Sequence, residues 1–326
     1  MEVVEGKGEL VSAEEELGNG GIADVGTQAD EVGVVYEQYM DYFSGKGAGV
    51  GRNFAGDRES RDLMEGNLKP VRVSFEGNIG VGKSTILKLL QSHPRLQEIT
   101  EILQEPIWEW QNVKGTGLNM LDAFYKDPKR YAYLFQSFVF TTRFLQQNKA
   151  ASESKADLLL MERSVLTDRC VFVKTSTEQG YFNPLEAAAY DVWYDGVVST
   201  LPNVVPDAFV YLRADPNVCY DRLKARARSE EAGVSLEYLR SLHSKHENWF
   251  IENAFKNAGN GNWGGKPQVG YFGTSSKIPA VIQGRPVFVV DCTNTLDFGR
   301  PSKEVDRVVE EIVSFLLGPY TSLHQA

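Results

Sequence analysis

The sequence predicts an α/β protein with a five-stranded parallel sheet that carries helices on both faces. One observation behind this prediction is an apolar strand segment that leads into a Gly-rich turn and a helical segment over residues 71–90. The other is the alternation of short apolar segments with longer segments of helical periodicity along the rest of the chain. Strands that alternate with helices form right-handed crossover units, and successive units build a parallel sheet.

The turn after the first strand has the pattern of a phosphate-binding loop. Gly77, Gly82, Lys83 and Ser84 match the spacing G-x-x-x-x-G-K-[ST]. Backbone N–H groups in such a loop surround an anion, and the N-terminus of the next helix adds positive potential. The lysine reaches the β- and γ-phosphates, and the serine hydroxyl holds Mg²⁺. The predicted phosphate-binding residues of the loop are Gly77, Asn78, Ile79, Gly80, Val81, Gly82, Lys83, Ser84 and Thr85.

The other elements are predicted from periodicity and boundaries. Val71, Val73 and Phe75 alternate with polar residues, and the continuous apolar run DLLLME is typical of a strand buried on both faces. Residues 258–284 are rich in Gly, Asn and Ser and predict an irregular insertion. The predicted strands after the first are Ile99–Leu103, Asp157–Glu162, Asp207–Leu212 and Pro286–Asp291. The predicted helices after the loop helix are Leu118–Phe124, Pro128–Ala151, Ser164–Thr175, Pro184–Thr200, Pro216–Arg228, Ser235–Phe255 and Lys303–Leu317.

The charge of the chain is concentrated at its N-terminus. Residues 1–66 carry 15 acidic and 5 basic side chains, whereas residues 67–326 carry 29 of each. The acidic, Gly-rich composition of residues 1–66 favours a disordered tail, within which Val34–Phe43 is a candidate for one docked helix. A single domain is expected over residues 67–320, and its neutral balance gives no indication of nucleic-acid binding.

Composition also bears on the compartment. No apolar run approaches the ~18 residues that a membrane span needs. The three scattered cysteines, Cys170, Cys219 and Cys292, argue against a disulfide framework and for a reducing compartment. The acidic N-terminal segment is the opposite of an Arg-rich targeting peptide. We therefore expect a cytoplasmic protein, with a mitochondrial or plastid location left open.

Charged residues follow the predicted strands at the edge where ligands bind in such sheets. Glu105 follows the second strand, Glu162 and Arg163 end the third, and Asp291 ends the last. Glu162 is placed to hold a metal ion and Glu105 to accept a proton from an attacking hydroxyl. Three further charges, Arg222, Arg226 and Arg228, suit a lid over a transferring phosphoryl group. Taken singly, such residues also fit plain roles as helix caps or solvated faces.

Five segments together resemble the deoxynucleoside kinases, in particular the deoxycytidine and deoxyguanosine kinases: GNIGVGKST, EPIWEW, FQSFVFTTR, ERSVLTDRCVF and RARSEEAGVSLEYLRSLHSKHENWF. The resemblance covers about Val71 to Phe250, together with the VDC strand and the final helix. It implies a P-loop kinase fold and transfer of the ATP γ-phosphate to a deoxynucleoside 5′-hydroxyl with Mg²⁺, as in nucleotide salvage. It also implies a homodimer formed by two helices, for which Pro128–Ala151 and the Ser164–Thr175 region are the candidates.

The resemblance assigns roles to individual positions. Glu105 matches the general base, Arg163 the arginine beside it, and Glu162 the carboxylate that serves Mg²⁺ with Ser84. Tyr125 and Glu231 match the pair that holds the deoxyribose 3′-hydroxyl. The matching residues of the base pocket are Gln136, which bonds the base edge, and the aromatic walls Trp110, Phe135 and Phe172. The arginines Arg222, Arg226 and Arg228 match the lid.

The resemblance also bears on which deoxynucleoside is used. Arg143 and Asp168 match a pair found in the deoxycytidine and deoxyguanosine kinases and lacking in thymidine-accepting members. We therefore expect a kinase for deoxyadenosine, deoxyguanosine and deoxycytidine, with a thymidine-preferring or broad-specificity enzyme as the alternative. Val139 favours that alternative, because pyrimidine-preferring relatives share it. Phe138 and Val139 both differ from deoxycytidine kinase.

Two other classes of protein share parts of this pattern. Nucleoside-monophosphate kinases have the same loop but add basic groups for the acceptor phosphate, whereas the E-P and R-S-E-E segments here indicate an uncharged acceptor. A non-catalytic relative serving as a subunit of respiratory complex I would have little reason to keep Lys83, Glu105 and Arg163 together. The catalytic interpretation is therefore favoured.

Deletion of residues 1–66 is expected to leave both catalysis and the thermal transition nearly unchanged. The segment carries a net charge of −10 and little apolar material that could add to a core. The test compares the full chain with residues 67–326 in a phosphorylation assay and a thermal melt. A collapse of either quantity would show that Val34–Phe43 docks on the domain.

Overall fold

The protein is represented by a computed structural model that describes residues 70–255, 267–274, 278–293 and 298–318. The tail expected over residues 1–66 lies outside the described residues. Within the insertion expected over residues 258–284, residues 258–266 and 275–277 also lie outside them. The described part contains one sheet of six strands. These strands are β1 Val71–Glu76, β2 Thr100–Leu103, β3 Leu158–Glu162, β4 Ala208–Arg213, β5 Gln268–Tyr271 and β6 Pro286–Asp291.

The strands are arranged in the order β2-β3-β1-β4-β6-β5. The first five strands of this order pair in parallel, and β5 pairs antiparallel with β6 at the edge. The α/β class and the five parallel strands are confirmed, but the predicted total of five strands is wrong by one. The phosphate-loop strand β1 lies between β3 and β4, so the ends of its neighbours flank the loop.

The additional strand β5 lies in the segment predicted to be irregular. It has four residues, includes Gly270 and lacks the alternation that predicts a strand. Gly270 is opposite Val287, and a Cβ on this glycine would lie 2.6 Å from the ring of Phe255. Pairing with β6 and close packing under Phe255 therefore form this strand.

The predicted helices are all present, with shifts at their ends. A short helix after Glu105 was not predicted, and α7 ends two residues early because Ala227 adopts a left-handed conformation with φ +53°. The helices are α1 Lys83–Gln91, α2 Ile107–Gln111, α3 Met120–Lys126, α4 Pro128–Glu153, α5 (Val165–Thr167, Asp168–Val173 and Lys174–Glu178), α6 Pro184–Thr200, α7 Pro216–Arg226, α8 (Leu236–His246, Glu247–Ile251 and Glu252–Ala254) and α9 Lys303–Leu316. Single 3₁₀ turns cover Val113–Gly115, Pro202–Val204, Ser229–Gly233 and Ala280–Ile282.

Two long helices begin at the same local signal. The side chain of Asp127 accepts a hydrogen bond from a backbone N–H in the first turn of α4, and Pro128 follows it. Asn183 caps α6 in the same way, Pro184 follows, and Glu186 completes a capping box. An oxygen-bearing cap followed by proline satisfies one free N–H and fixes the first helical φ, so these starts are local.

The core lies on both faces of the sheet. All five residues of β3 are buried, as the run LLLME predicts. Helix α1 packs against β2 and β3, α4 packs against β3, and α9 packs against α1 and β6. No helix in the described residues is long and apolar enough to cross a bilayer.

Candidate functional site

A pocket opens where β1, β2 and β3 end. It encloses about 650 Å³ of empty space, part of which is open to solvent, and this is within the range of small-molecule sites. Of the predicted site residues, the ones that line it are Ile79, Gly80, Lys83, Ser84, Glu105, Trp110, Tyr125, Phe135, Gln136, Arg143, Glu162, Arg163, Asp168, Phe172, Arg226, Arg228 and Glu231. Those that do not line it are Gly77, Asn78, Val81, Gly82, Thr85 and Arg222.

The phosphate loop joins β1 to α1 in a conformation that its glycines permit. Gly77 has φ +139°, and a Cβ there would lie 2.4 Å from the carbonyl oxygen of Leu212. Gly82 precedes α1, and the described residues give that helix start no side-chain cap. Backbone N–H groups at the start of an uncapped helix suit an anion.

Lys83 is buried beneath this loop. Its Nζ donates to the carbonyl oxygens of Gly77 (3.2 Å) and Asn78 (3.0 Å). Burial, with help from the charge of Arg163, lowers the pKa of Lys83 to about 7. The effect of burial thus outweighs that of the nearby carboxylates of Glu162, Glu105 and Glu76, and an anion at the loop would favour the charged form of Lys83.

Glu105 lies at the centre of a buried ion-pair cluster. Its Oε1 accepts from Arg163 Nη1 at 2.6 Å and from Arg143 Nη2 at 3.0 Å. Burial opposes ionisation of Glu105, but the charges of Arg163, Arg143 and Lys83 outweigh it and lower the pKa of the carboxyl to about 2. Arg163 also donates to the carbonyl of Gly77 at 3.1 Å, so one guanidinium bridges Glu105 and the phosphate loop.

Arg143 connects this cluster to the far end of the pocket. Its Nε donates to Asp168 Oδ2 at 2.9 Å, and its Nη1 donates to the carbonyl of Glu162 at 2.9 Å. Burial raises the pKa of the Asp168 carboxyl, and the bond to Arg143 opposes that rise. Asp168 Oδ1 is buried and has no hydrogen-bond partner among the described residues. An acceptor oxygen without a partner in the described residues is therefore left at this end of the pocket.

Aromatic side chains form the walls between these ends. Trp110 and Phe135 meet edge to face with ring centroids 5.9 Å apart, and Phe124 stacks on Phe135 at 4.8 Å. Trp110 Nε1 donates to Thr142 Oγ1 at 3.0 Å, which fixes the indole. The Phe172 ring lies under the Arg163 guanidinium at 5.0 Å. Flat, fixed rings of this kind suit the faces of a base.

The predicted lid arginines are placed differently from one another. Arg226 Nη2 donates to both carboxylate oxygens of Glu231 at 2.6 Å, and Arg228 Nη1 contacts the same carboxylate at 3.5 Å. Arg222 instead donates to the backbone carbonyl of Val81 at 3.1 Å, on the phosphate loop. Burial and the nearby Glu231 raise the pKa of Tyr125, so its hydroxyl stays a donor.

Some residues of this region escaped the sequence analysis. Ile107 and Leu121 line the pocket, and Gln111 on α2 hydrogen-bonds Glu230 beside the lid at 2.5 Å. Glu76, the last residue of β1, is buried among hydroxyl groups directly before the loop. A charged residue at a strand end is the signal that singled out Glu105, and it applies equally to Glu76.

The sheet order, the loop and this cluster define a P-loop phosphotransferase. The family model described as deoxynucleoside kinase matches residues 73–317. The chain belongs to the deoxynucleoside kinase family, and it is an ATP-dependent phosphotransferase. Membership and fold were both expected from the sequence, and both are confirmed.

Curated relatives agree with this family. Deoxycytidine kinase 2 of Gallus gallus is 36% identical over 203 residues, which are 57% of this chain and 76% of that protein. The mitochondrial deoxyguanosine kinase of Xenopus laevis is 38% identical over 197 residues, 56% of this chain and 73% of that protein. Deoxycytidine kinase of Homo sapiens is 33% identical over 203 residues, 57% of this chain and 77% of that protein.

Nucleotide binding is expected to be coupled to protonation of Lys83. With a pKa of about 7, this lysine is mostly neutral in the free enzyme at about pH 8 and mostly charged at about pH 6. Triphosphate oxygens favour the charged form, so binding of ATP should take up close to one proton at about pH 8 and little at about pH 6.

Titration calorimetry with ATP in buffers of different ionisation enthalpy measures this uptake. Lys83→Met is the matched control, because it keeps the apolar stem and removes the titrating group. Equal uptake at both pH values, or uptake that persists in Lys83→Met, would contradict the prediction.

Proposed function

We propose that the enzyme transfers the γ-phosphate of ATP to the 5′-hydroxyl of deoxyadenosine, deoxyguanosine and deoxycytidine in nucleotide salvage. The observation that carries the proposal is the buried chain of ion pairs from Glu105 through Arg143 to Asp168. It joins a proton acceptor near the phosphate loop to polar groups at the base end. The names of the relatives, deoxycytidine and deoxyguanosine kinases, support the same substrates.

At the reacting end, each group has a distinct task. Lys83 leaves the carbonyl groups of Gly77 and Asn78 and binds the β- and γ-phosphates. Glu105 orients the 5′-hydroxyl and accepts its proton. With a pKa of about 2, Glu105 is a weak base, so the 5′-hydroxyl proton moves to it late in the phosphoryl-transfer step. This suits phosphoryl transfer, whose loose transition state needs positioning and charge more than a strong base.

The residues beside Lys83 fit a magnesium ion. Ser84 Oγ donates to Glu162 Oε1 at 2.8 Å, so a hydroxyl and a carboxylate oxygen lie together at the pocket wall. Among the described residues there is no cluster of three or more His, Cys, Asp or Glu side chains suited to a metal. Mg²⁺ is typically held by one or two carboxylates with phosphate and water. When bound, it would neutralise charge on the phosphate oxygens.

The sugar and the lid share one carboxylate. Glu231 lines the pocket with Tyr125, and this pair is proposed to bind the deoxyribose 3′-hydroxyl. The same carboxylate holds Arg226 and Arg228, which are proposed to bind the transferring phosphoryl group. Arg222, bonded to the phosphate loop, is proposed to support the donor side.

The kinase proposal is tested with labelled ATP and each of the four deoxynucleosides. Lys83→Ala removes the charge that reaches the phosphates, and kcat should fall by at least about a hundredfold. Glu105→Gln keeps the size and loses the base, so kcat should fall by ~10²–10⁴ while the nucleoside Kd changes little. Near-normal turnover in Lys83→Ala would refute the proposal, and an inactive wild type would favour a non-catalytic relative.

Substrate choice is tested by Arg143→Met/Asp168→Ala. Removing the pair opens the base end, and we expect kcat/KM for thymidine to rise relative to deoxycytidine. Because Arg143 also bonds Glu105, the double variant should lose kcat for every substrate, so the ratio between substrates is the relevant measure. Asp168→Ala alone is the matched control, since it leaves the Arg143–Glu105 contact in place. Thymidine as the best wild-type substrate, or an unchanged ratio, would favour the thymidine-preferring or broad-specificity alternative.

We further propose a homodimer through α4 and α6. Leu134 and Leu145 on α4 are 47% and 48% exposed and three turns apart. Leu185, Val192 and Trp193 on α6 are 78%, 75% and 55% exposed, and α4 packs against α6. The Ser164–Thr175 region expected to form part of the interface is mostly buried instead. A second copy of the chain would cover this apolar face.

Sedimentation velocity tests the dimer. Leu145→Asp/Trp193→Asp should shift the protein to a monomer, because it places charge among the exposed apolar side chains of both helices. Trp108→Asp is the matched control: Trp108 is 70% exposed on α2, outside the face, and its replacement should leave the sedimentation coefficient unchanged. A monomeric wild type would contradict the proposal.

The remaining expectations are proposals of the same kind. We propose one kinase domain over residues 67–320, preceded by a tail over residues 1–66, and the family match at 73–317 supports this division. Cys170, Cys219 and Cys292 are free thiols, which supports a reducing compartment, and we propose the cytoplasm.

A further inference from the structure

Glu76 is an acidic residue in the core of the sheet. It ends β1, is fully buried, and has neutral hydroxyl groups as its hydrogen-bond partners in the described residues. Its Oε1 accepts from Ser74 Oγ at 2.5 Å and from Ser164 Oγ at 3.1 Å, and its Oε2 accepts from Thr167 Oγ1 at 2.5 Å. Burying a carboxyl group among neutral partners lowers the stability of the folded state, and burial raises the pKa of Glu76. Its presence calls for a role beyond packing.

The hydroxyl groups that Glu76 binds belong to one backbone corner. Ser164 and Thr167 form the capping box that starts α5, and Arg163 directly precedes them. Arg163 has φ +63°, a left-handed conformation that is costly for a residue with a Cβ. Such a conformation persists where its surroundings over-determine it. Glu76 supplies two of those constraints, one through Ser164 and one through Thr167.

This corner determines where the Arg163 side chain points. From the left-handed backbone, its guanidinium reaches Glu105 at 2.6 Å and the carbonyl of Gly77 at 3.1 Å. Gly77 is the residue after Glu76. The carboxyl group is thus fixed to the start of the phosphate loop by the chain and to the Arg163 corner by hydrogen bonds.

We propose that Glu76 is a positioning residue for phosphoryl transfer, which holds Arg163, and through it Glu105, in register with the phosphate loop. The proposal rests on the proposed roles of Arg163 and Glu105. Glu76 itself does not line the pocket. Its effect is therefore expected on the chemical step rather than on substrate affinity.

The first test is the split between kcat and KM in Glu76→Ala. We expect kcat to fall by about 10- to 100-fold, because small misplacements of catalytic groups cost factors of this size. KM for ATP and for the deoxynucleoside should stay within about threefold, since the contacting groups remain. Glu76→Gln keeps the shape, and the hydroxyl groups can rotate to meet the amide, so it should restore much of the loss. Thr167→Val keeps the shape and removes the hydroxyl group, with its bond to Glu76 and its two contacts to Ser164, and it should lower kcat by a smaller factor.

Asp207→Ala is the matched control for stability. Asp207 is a carboxylate at the opposite end of the same sheet, where it accepts from the backbone and side chain of Arg72 and from Arg285. It should lower the melting temperature without changing kcat. If Glu76→Ala does not fold, Thr167→Val decides the matter, because a lowered kcat supports the inference and a normal kcat overturns it. Normal kcat in all the Glu76 and Thr167 variants would overturn the inference.

The second test is a double-mutant cycle with Arg163→Met. If Glu76 acts through Arg163, then Glu76→Ala should lower kcat little further once the guanidinium is gone. Multiplicative losses would overturn the inference while leaving the proposed function intact. Absence of transfer to any deoxynucleoside by the wild type would instead overturn the proposed function, and the inference with it.

Discussion

Mutual compensation of buried charge is the constraint on which this structure depends. Removing an ion from water costs several kcal/mol unless a partner of opposite charge meets it in good geometry. Four segments that are distant in sequence must therefore converge at the carboxyl edge of the sheet. The side chains that meet there are Lys83, Glu105, Arg143, Glu162, Arg163 and Asp168.

Arg143 gives this cluster its chemical character. It donates to Asp168, to Glu105 and to the carbonyl of Glu162 from three different nitrogens, so its orientation is fixed at both ends. Asp168 and Glu105, which are proposed to lie at the base end and the reacting end of the pocket, are thereby joined by one guanidinium. A change at Asp168 should therefore also affect Glu105, because the same guanidinium contacts both carboxylates.

The predicted lid arginines Arg226 and Arg228 are linked to the pocket by a shared ion-pair partner, Glu231. Helix α7 stops at Arg226, because Ala227 turns left-handed, and the chain then folds back so that Glu231 meets Arg226 and Arg228. A carboxylate proposed to bind the sugar thus neutralises arginines proposed to bind phosphate. This pairing lowers the cost of holding several arginines over one pocket.

The sequence alone determined the features that depend on neighbouring residues. The loop between β1 and α1, the helix starts at Pro128 and Pro184 and the buried run of β3 are local patterns, and all appear where they were predicted. Resemblance to a family added Arg143 and Asp168 to the predicted site. These residues are 25 positions apart, and that spacing does not reveal their 2.9 Å contact. The roles of these residues remain predictions.

Tertiary structure alone decided the features that arise from packing. Strand β5 exists because β6 offers an edge and Gly270 admits Phe255, neither of which is visible in a four-residue pattern. The backbone of Arg163 is left-handed because its side chain bonds Glu105 and Gly77 while the next residue, Ser164, bonds Glu76. Two of the three hydroxyl groups around Glu76, those of Ser164 and Thr167, lie more than 80 residues away along the chain, and their contact with Glu76 is likewise decided by which strands become neighbours. Local sequence fixes local conformation, whereas buried charge and close packing are satisfied only once the sheet has formed.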